Sequence, residues 1–298
     1  MASTTCSRAS LAAGALAVVM AGSACVEIDA IDSLRYVERE EARFAVTGRP
    51  EVTVTTFNGS IEVRPWDRPE VLVEVEKHAS SKDAAADIEV RTGQEGNRVT
   101  IEARLKSLGH FGFGLGRSAR LIVSVPAASD VLATSGDGSI DVERIDGRID
   151  LRSGDGEIRG RNLSGDLRVQ TGDGSIRLED IDGELDLATG DGSIVASGRL
   201  SALHARTGDG RMTIRVEPGS VAEDDWSIST GDGSILLELP EDFNAEIDAH
   251  TGDGRVAVRG GLSRTVESTR RSVRGKLGSG GHAVRVRSGD GSITLRRS

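Results

Sequence analysis

The chain has 298 residues, 47 Asp or Glu against 37 Lys or Arg, a formal charge of -10, two cysteines and only 3% aromatic residues. An acidic balance of this size argues against nucleic acid as a general partner. Two cysteines supply neither a thiolate zinc site nor a disulfide framework.

The N-terminus reads as an export signal. Residues 1–24 carry one charge, Arg8, then an apolar run from Leu11 to Ala21 and the small residues Gly22, Ser23 and Ala24 before Cys25. The run is too short to span a bilayer and has the layout of a secretory signal peptide. Cys25 makes the ending resemble a bacterial lipobox, whose cysteine becomes the acylated first residue, although Gly22 stands where that pattern usually has Leu. Two outcomes stay open: a lipid-anchored protein of the cell envelope with Cys25 as the lipidation site, or cleavage after Ala24 and a periplasmic or secreted chain. With the leader gone, Arg8 and Cys6 are lost, the formal charge becomes -11, and no cysteine pair is left to oxidise.

Residues 25–43 are charged and weakly periodic, which suits a tether. From 44 to 128 the pattern is β-rich but irregular, with strands expected over Glu51–Thr56, Ser60–Arg64, Val71–Lys77, Arg98–Leu105 and Ala119–Val125. This stretch is expected to cover the open N-terminal edge of the repeats that follow, since a bare sheet edge invites aggregation. Within it, Leu108–Arg117 places Phe111 and Phe113 in a glycine-rich loop that lacks the Lys-Ser/Thr of a phosphate loop. The plain reading is a hairpin tip folding onto the cap; the functional one is an apolar contact for a partner or a membrane.

From 129 to 298 a short motif recurs. [ST]-G-D-G occurs eight times, with Asp at 137, 155, 173, 191, 209, 232, 253 and 290, so four consecutive intervals are 18 residues and the rest 23, 21 and 37. A fixed short period means stacked structural units. Three residues after each Asp stand Ile140, Ile158, Ile176, Ile194, Met212, Ile235, Val256 and Ile293; four before it stand Ala133, Leu151, Val169, Leu187, Ala205, Ile228, Ala249 and Val286. Apolar residues also fill most positions five after and all positions six before, while the positions between are mostly polar, which is the period-two alternation of half-buried strands.

Each unit thus reads as strand, turn, strand, turn, and the fold class is all-β: a parallel β-solenoid, or single-stranded β-helix, with two strands per 18-residue coil and an irregular N-terminal β cap. Right-handed winding is expected, as for nearly all parallel crossovers. A thin two-sheet core has room for Ile, Val and Leu, in keeping with the scarcity of aromatic residues. Glycine at positive φ explains the main turns and their weaker echoes at Asp146-Gly147, Ser164-Gly165 and Asp182-Gly183. The Ser or Thr two places before each Asp shares the inward parity, so a ladder of hydroxyls hydrogen-bonding from coil to coil is expected.

The SGDGSI and TGDGSI repeats, the segment TTFNGSIEVRPWDRPEVLVEVEK and the closing VRGKLGSGGHAVRVRSGDGSITL together resemble a bacterial family of β-strand-repeat proteins of unassigned activity that carry the label adhesin. The resemblance covers residues 44–298 and implies an exported, β-helix-like envelope protein; it supplies no catalytic residues. The adhesin label is an analogy of architecture.

Three kinds of site remain to be weighed. In-register carboxylates at Asp137, Asp155, Asp173, Asp191 and Asp209 would lie about 5 Å apart, and calcium between coils would relieve their repulsion. The unit is similar to the calcium-binding β-roll but departs from it, with Asp between two glycines and Ser164 where a ligand is wanted. The competing reading is a turn-capping Asp facing solvent, with no cofactor bound. Residues 261–298 hold nine basic residues against Glu267 and Asp290, and Arg270, Arg271, Arg274 and Lys276 interrupt the repeat. They form either a solvated insertion or a dock for anionic glycan or lipid. A polysaccharide-acting β-helix enzyme is the remaining alternative, but His78, His110, His204, His250 and His282 fall in unrelated registers and no convergent constellation stands out. The reading that follows is a noncatalytic envelope surface protein, adhesin or scaffold, whose partner is an envelope protein or an anionic glycan or lipid.

Overall fold

The computed structural model describes residues 36–106, 116–260 and 264–297. Cys25, His110, Phe111 and Phe113 lie outside the described residues. Among the described residues the fold is all-β apart from one five-residue helix, α1 (Lys82–Ala86). In chain order the strands are β1 (Tyr36–Ala45), β2 (Glu51–Thr56), β3 (Ile61–Trp66), β4 (Glu70–Ala79), β5 (Ile88–Glu95), β6 (Arg98–Leu105), β7 (Ser118–Pro126), β8 (Asp130–Ser135), β9 (Ile140–Glu143), β10 (Asp146–Ser153) and β11 (Ile158–Thr171). They continue with β12 (Ile176–Thr189), β13 (Ile194–Thr207), β14 (Met212–Val216), β15 (Trp226–Thr230), β16 (Ile235–Leu239), β17 (Ala245–Thr251), β18 (Val256–Arg259), β19 (Arg264–Ser268), β20 (Ser272–Leu277), β21 (Ala283–Ser288) and β22 (Ile293–Arg297).

Units 18 residues apart pair in parallel and in register. Ile158 stands beside Ile176 and Leu167 beside Leu185, and Ile176 in turn beside Ile194. One row of strands runs β5, β6, β2, β8, β10, β11, β12, β13, β15, β21, β17, β20, β19. The other runs β1, β4, β7, β3, β9, β11, β12, β13, β14, β16, β22, β18. Every member of the columns three after and four before Asp is buried, as expected, and they join one continuous apolar cluster. In the column five after Asp, Val258 near the C-terminal end is only partly buried.

Four expectations need correction. First, the stack does not follow chain order at its C-terminal end: β21 and β22, from the Asp290 unit, lie between β15 and β16 of the Asp232 unit and β17 and β18 of the Asp253 unit. The 37-residue interval contains the hairpin β19–β20, which lies antiparallel on β17 and returns the chain to the gap. Second, the N-terminal region is not simply laid over the repeats. The β2–β3 unit, carrying Asn58, is itself inserted between β6–β7 and β8–β9. Third, residues 36–43 of the expected tether belong to β1, which pairs antiparallel with β4. Alternating charged residues suit an edge strand there.

The fourth concerns the turns. None of the glycines in the eight main turns has a left-handed φ; such values occur at the opposite corner, for example Gly165 (φ 109) and Gly183 (φ 140). What excludes a side chain in the main turn is close approach. A Cβ on Gly192 would lie 1.9 Å from the carbonyl oxygen of Gly174 in the preceding unit, and one on Gly210 1.9 Å from that of Gly192. At the opposite corner β11, β12 and β13 bend without interruption, aided by left-handed residues at Asn162 (φ 51) and Asp180 (φ 56); Arg144 (φ 52) holds the same place one unit earlier.

Candidate functional site

The buried hydroxyls fix the geometry of the Asp edge. Ser153 Oγ donates to the Gly138 carbonyl at 2.9 Å and accepts the Gly156 N–H at 3.0 Å. Thr189 does the same with Gly174 (2.9 Å) and Gly192 (3.3 Å), and Thr207 with Gly192 (3.0 Å) and Gly210 (3.2 Å). Each hydroxyl therefore closes its own turn and ties it to the neighbouring unit's backbone, so the ladder runs from hydroxyl to carbonyl rather than from hydroxyl to hydroxyl. The ladder follows the stack through the exchanged units, since Ser288 donates to Gly233 (3.0 Å) and Thr251 to Gly291 (2.7 Å).

With the turn closed by the hydroxyl, the Asp side chain is left over. Asp137, Asp155, Asp173, Asp191, Asp209, Asp232, Asp290 and Asp253, in stacking order, are all exposed. None makes a side-chain hydrogen bond or ion pair among the described residues. The six carboxylates from Asp137 to Asp232 lean along the stack toward the next unit: a Cβ on Gly190 would meet Asp173 Oδ1 at 3.1 Å, and one on Gly208 would meet Asp191 Oδ1 at 3.2 Å. The result is a file of carboxylates at the roughly 4.8 Å spacing of paired strands. Among the described residues no group of three or more His, Cys, Asp or Glu side chains is placed to hold a metal ion. The five Asp residues weighed for calcium are thus brought into one file but not into a cage of the six to eight oxygens the ion needs.

The basic C-terminal residues are arranged differently. Arg274 lies 3.4 Å from Asp248 and 3.7 Å from Glu267, and Lys276 2.9 Å from Glu246. Arg271 donates to the Gly252 carbonyl at 3.1 Å, and Arg270 is exposed without a side-chain partner among the described residues. Of the four, two are neutralised by carboxylates. The remaining basic charge serves the inserted unit: Arg285 reaches Asp225 (2.9 Å), Arg287 reaches Asp248 (2.7 Å) and Arg296 reaches Glu238 (2.6 Å). Burial raises the Asp248 carboxyl, but the hydrogen bond and charge of Arg287, followed by those of Arg274, hold it below the usual range. The Asp225 carboxyl is lowered chiefly by the Ala283 N–H, which it accepts at 2.8 Å, and then by Arg285. The sequence shows this positive excess, but its acidic counterparts lie 39 to 60 positions away along the chain.

Among the described residues the histidines stay apart. His78 lies 3.6 Å from Glu76, His282 3.8 Å from Asp225, and His204 and His250 are exposed. A shallow depression of about 610 Å³ on the outer face of β10–β13 includes His204 with Arg148, Asp150, Arg168 and Asp186, where Arg168 and Asp186 pair at 3.1 Å. No helix among the described residues is long and apolar enough to cross a membrane.

Stacked parallel units with one repeated side-chain pattern define a class of all-β repeat protein in which no unit is chemically singled out. The chain belongs to the Toastrack family, DUF4097, whose family model matches residues 50–296. No curated protein matches it. Similar solved structures include a candidate adhesin from Parabacteroides merdae (9% identity, TM-score 0.38, covering 87% of this chain and 96% of that one). A candidate adhesin from Bacteroides fragilis has 10% identity and a TM-score of 0.37, covering 87% and 97%. A candidate lipid-binding protein from Parabacteroides distasonis has 13% identity and a TM-score of 0.37, covering 87% and 96%.

Proposed function

We propose that this chain is a noncatalytic surface protein of the cell envelope, an adhesin-like or scaffold module held to a membrane by acylated Cys25. The observation that supports this reading is the file of unpaired carboxylates. Eight units offer solvent the same group at the same place in the turn, so contact with a partner gains from repetition rather than from one reactive position. An interlocked stack also carries that surface rigidly away from an anchor at its N-terminal side. In this reading the coils wind right-handed, and Phe111 and Phe113 together with the exposed Arg270 and Arg271 are secondary contacts to an envelope protein or an anionic headgroup.

Two measurements on the expressed full chain test it. Cys25→Ser should move the protein from the membrane to the soluble envelope fraction; an unchanged distribution removes the lipid anchor. Joint replacement of Asp137, Asp155, Asp173, Asp191 and Asp209 by Asn should abolish retention of the purified protein on isolated envelopes without lowering its melting point. Unchanged retention would show that the carboxylate file is not the contact surface.

A further inference from the structure

The most unusual feature of the stack is the unit formed by β21 and β22, which enters between two units that precede it in the chain. The flanking strands match it column for column. Trp226 and Ile247 both oppose Val284, and Ile228 and Ala249 both oppose Val286. Ile235 and Val256 both oppose Ile293. The gap is also charge-matched: its walls carry Asp225, Asp248 and Glu238, and the insert brings Arg285, Arg287 and Arg296 to them. Backbone pairing on both sides, apolar register and charge therefore specify a receptor for one sequence, residues 283–297.

The same segment joins the rest of the chain through a short turn, residues 278–282, read Gly-Ser-Gly-Gly-His. Gly278 (φ 54), Gly280 (φ 84) and Gly281 (φ 147) have left-handed or otherwise glycine-dependent backbone, and Asn244 Oδ1 holds the turn by accepting from Ser279 N at 2.8 Å. A short, glycine-shaped hinge ahead of a complete structural unit is the arrangement in which identical elements exchange between copies at low cost, because only the hinge differs between closed and exchanged forms.

We propose that the slot between β15–β16 and β17–β18 accepts residues 283–297 of a second copy of this chain, so that two molecules exchange their final units and dimerise. Every contact within the slot is then kept, and the hinge opens into extended backbone. The partner is specified by the slot itself, since an exchanged strand pair has to present Arg at the three positions facing Asp225, Asp248 and Glu238 and apolar residues at the inward ones.

The test uses Leu236 and Thr294, which face each other across β16 and β22. Neighbouring strands stand about 4.8 Å apart, within disulfide reach. Heavy-isotope-labelled and unlabelled chains carrying Leu236→Cys and Thr294→Cys are mixed, unfolded, refolded together at high concentration and oxidised. Exchange predicts a dimer fraction in which about half of the cross-linked peptides spanning positions 236 and 294 carry one label of each kind. Cross-links that join only like-labelled peptides overturn the proposal.

A second pair of variants needs no cysteine. Glu238→Arg mismatches the slot with its own insert, and Arg296→Glu mismatches the insert with its own slot, yet each chain's insert fits the other's slot. Co-refolding should yield a heterodimer that neither variant forms alone. Monomers or aggregates from the mixture would overturn the proposal.

Discussion

Glu238 on β16 and Arg296 on β22 are 58 positions apart in the chain, and their side chains meet at 2.6 Å. Glu238 also accepts from Arg215 Nε on β14 at 2.8 Å, so one carboxylate, 7% exposed, spans three neighbouring strands. The contact has meaning only because the final unit is inserted: stacked in chain order, β18 would follow β16 and place Arg259 there instead.

A double-mutant cycle on this pair measures how far it helps to hold the insert. Both arginines are largely exposed, at 66% and 43%, so screening keeps the interaction modest despite the buried partner. Glu238→Gln and Arg296→Met should couple by about 1 kcal/mol in urea unfolding. Zero coupling would mean that this ion pair does not help to hold the insert in place.

The main-turn glycines give a sharper contrast. Gly192→Ala forces a Cβ to within 1.9 Å of a backbone oxygen, which cannot rotate away, and should cost about 1–3 kcal/mol. Gly93, on edge strand β5, has no left-handed φ and nothing within 4 Å of an added Cβ. Gly93→Ala should therefore be neutral or stabilise by up to about 1 kcal/mol. Thermal melts of the two variants compare close approach with backbone freedom directly. Equal effects would refute the stacking explanation of the motif.

The carboxylate file predicts a gain from neutralisation. Like charges one strand spacing apart repel by about 1 kcal/mol per neighbour in water. Asp173→Asn should raise stability at low ionic strength, and the gain should disappear in high salt, where screening lengths fall to about 3 Å. Asn58 at the equivalent turn of the β2–β3 unit indicates that the backbone accepts the change. Calcium should move the melting point no more than sodium chloride of matched ionic strength. A specific rise, reversed by chelator, would restore the metal reading.

Much of this architecture was legible because burial and period are written together. Ile140, Ile158 and Ile176 repeat at 18, and the polar residues between them exclude a helical face. The same regularity hides the stacking order. The columns are so alike that Val284 fits beside Trp226 as well as Ile247 does, and nothing local says which neighbour a unit will choose. Strand β1 was missed for a related reason: an edge strand half exposed on both sides, with Glu38, Glu40 and Glu41 among its residues, shows no apolar alternation. Lys77, buried against Glu38 and Glu40, is what ties it down. The basic excess of residues 261–298 was visible, but its purpose was not, since Asp225, Glu238 and Asp248 answer it only in three dimensions.

The same carboxylates predict how acid opens the molecule. The Asp225 and Asp248 carboxyls lie below their usual range when folded, whereas in the unfolded chain they titrate near the ordinary value of about 3.9. Depressed folded values mean that their contribution is complete above the unfolded pKa and is lost as pH falls from there through the folded one. The groups around them push the same way: Arg285 and His282 favour the ionised Asp225, and Arg287 and Arg274 the ionised Asp248. As the pH falls below about 4 the insert should therefore loosen before the central units. Hydrogen exchange should show amides of 283–297 losing protection while those of 163–171 keep theirs. Asp248→Asn should weaken the insert at neutral pH and flatten this acid dependence. Simultaneous loss of protection along the whole stack would mean that the final unit is held by its apolar columns, with the ion pairs contributing little.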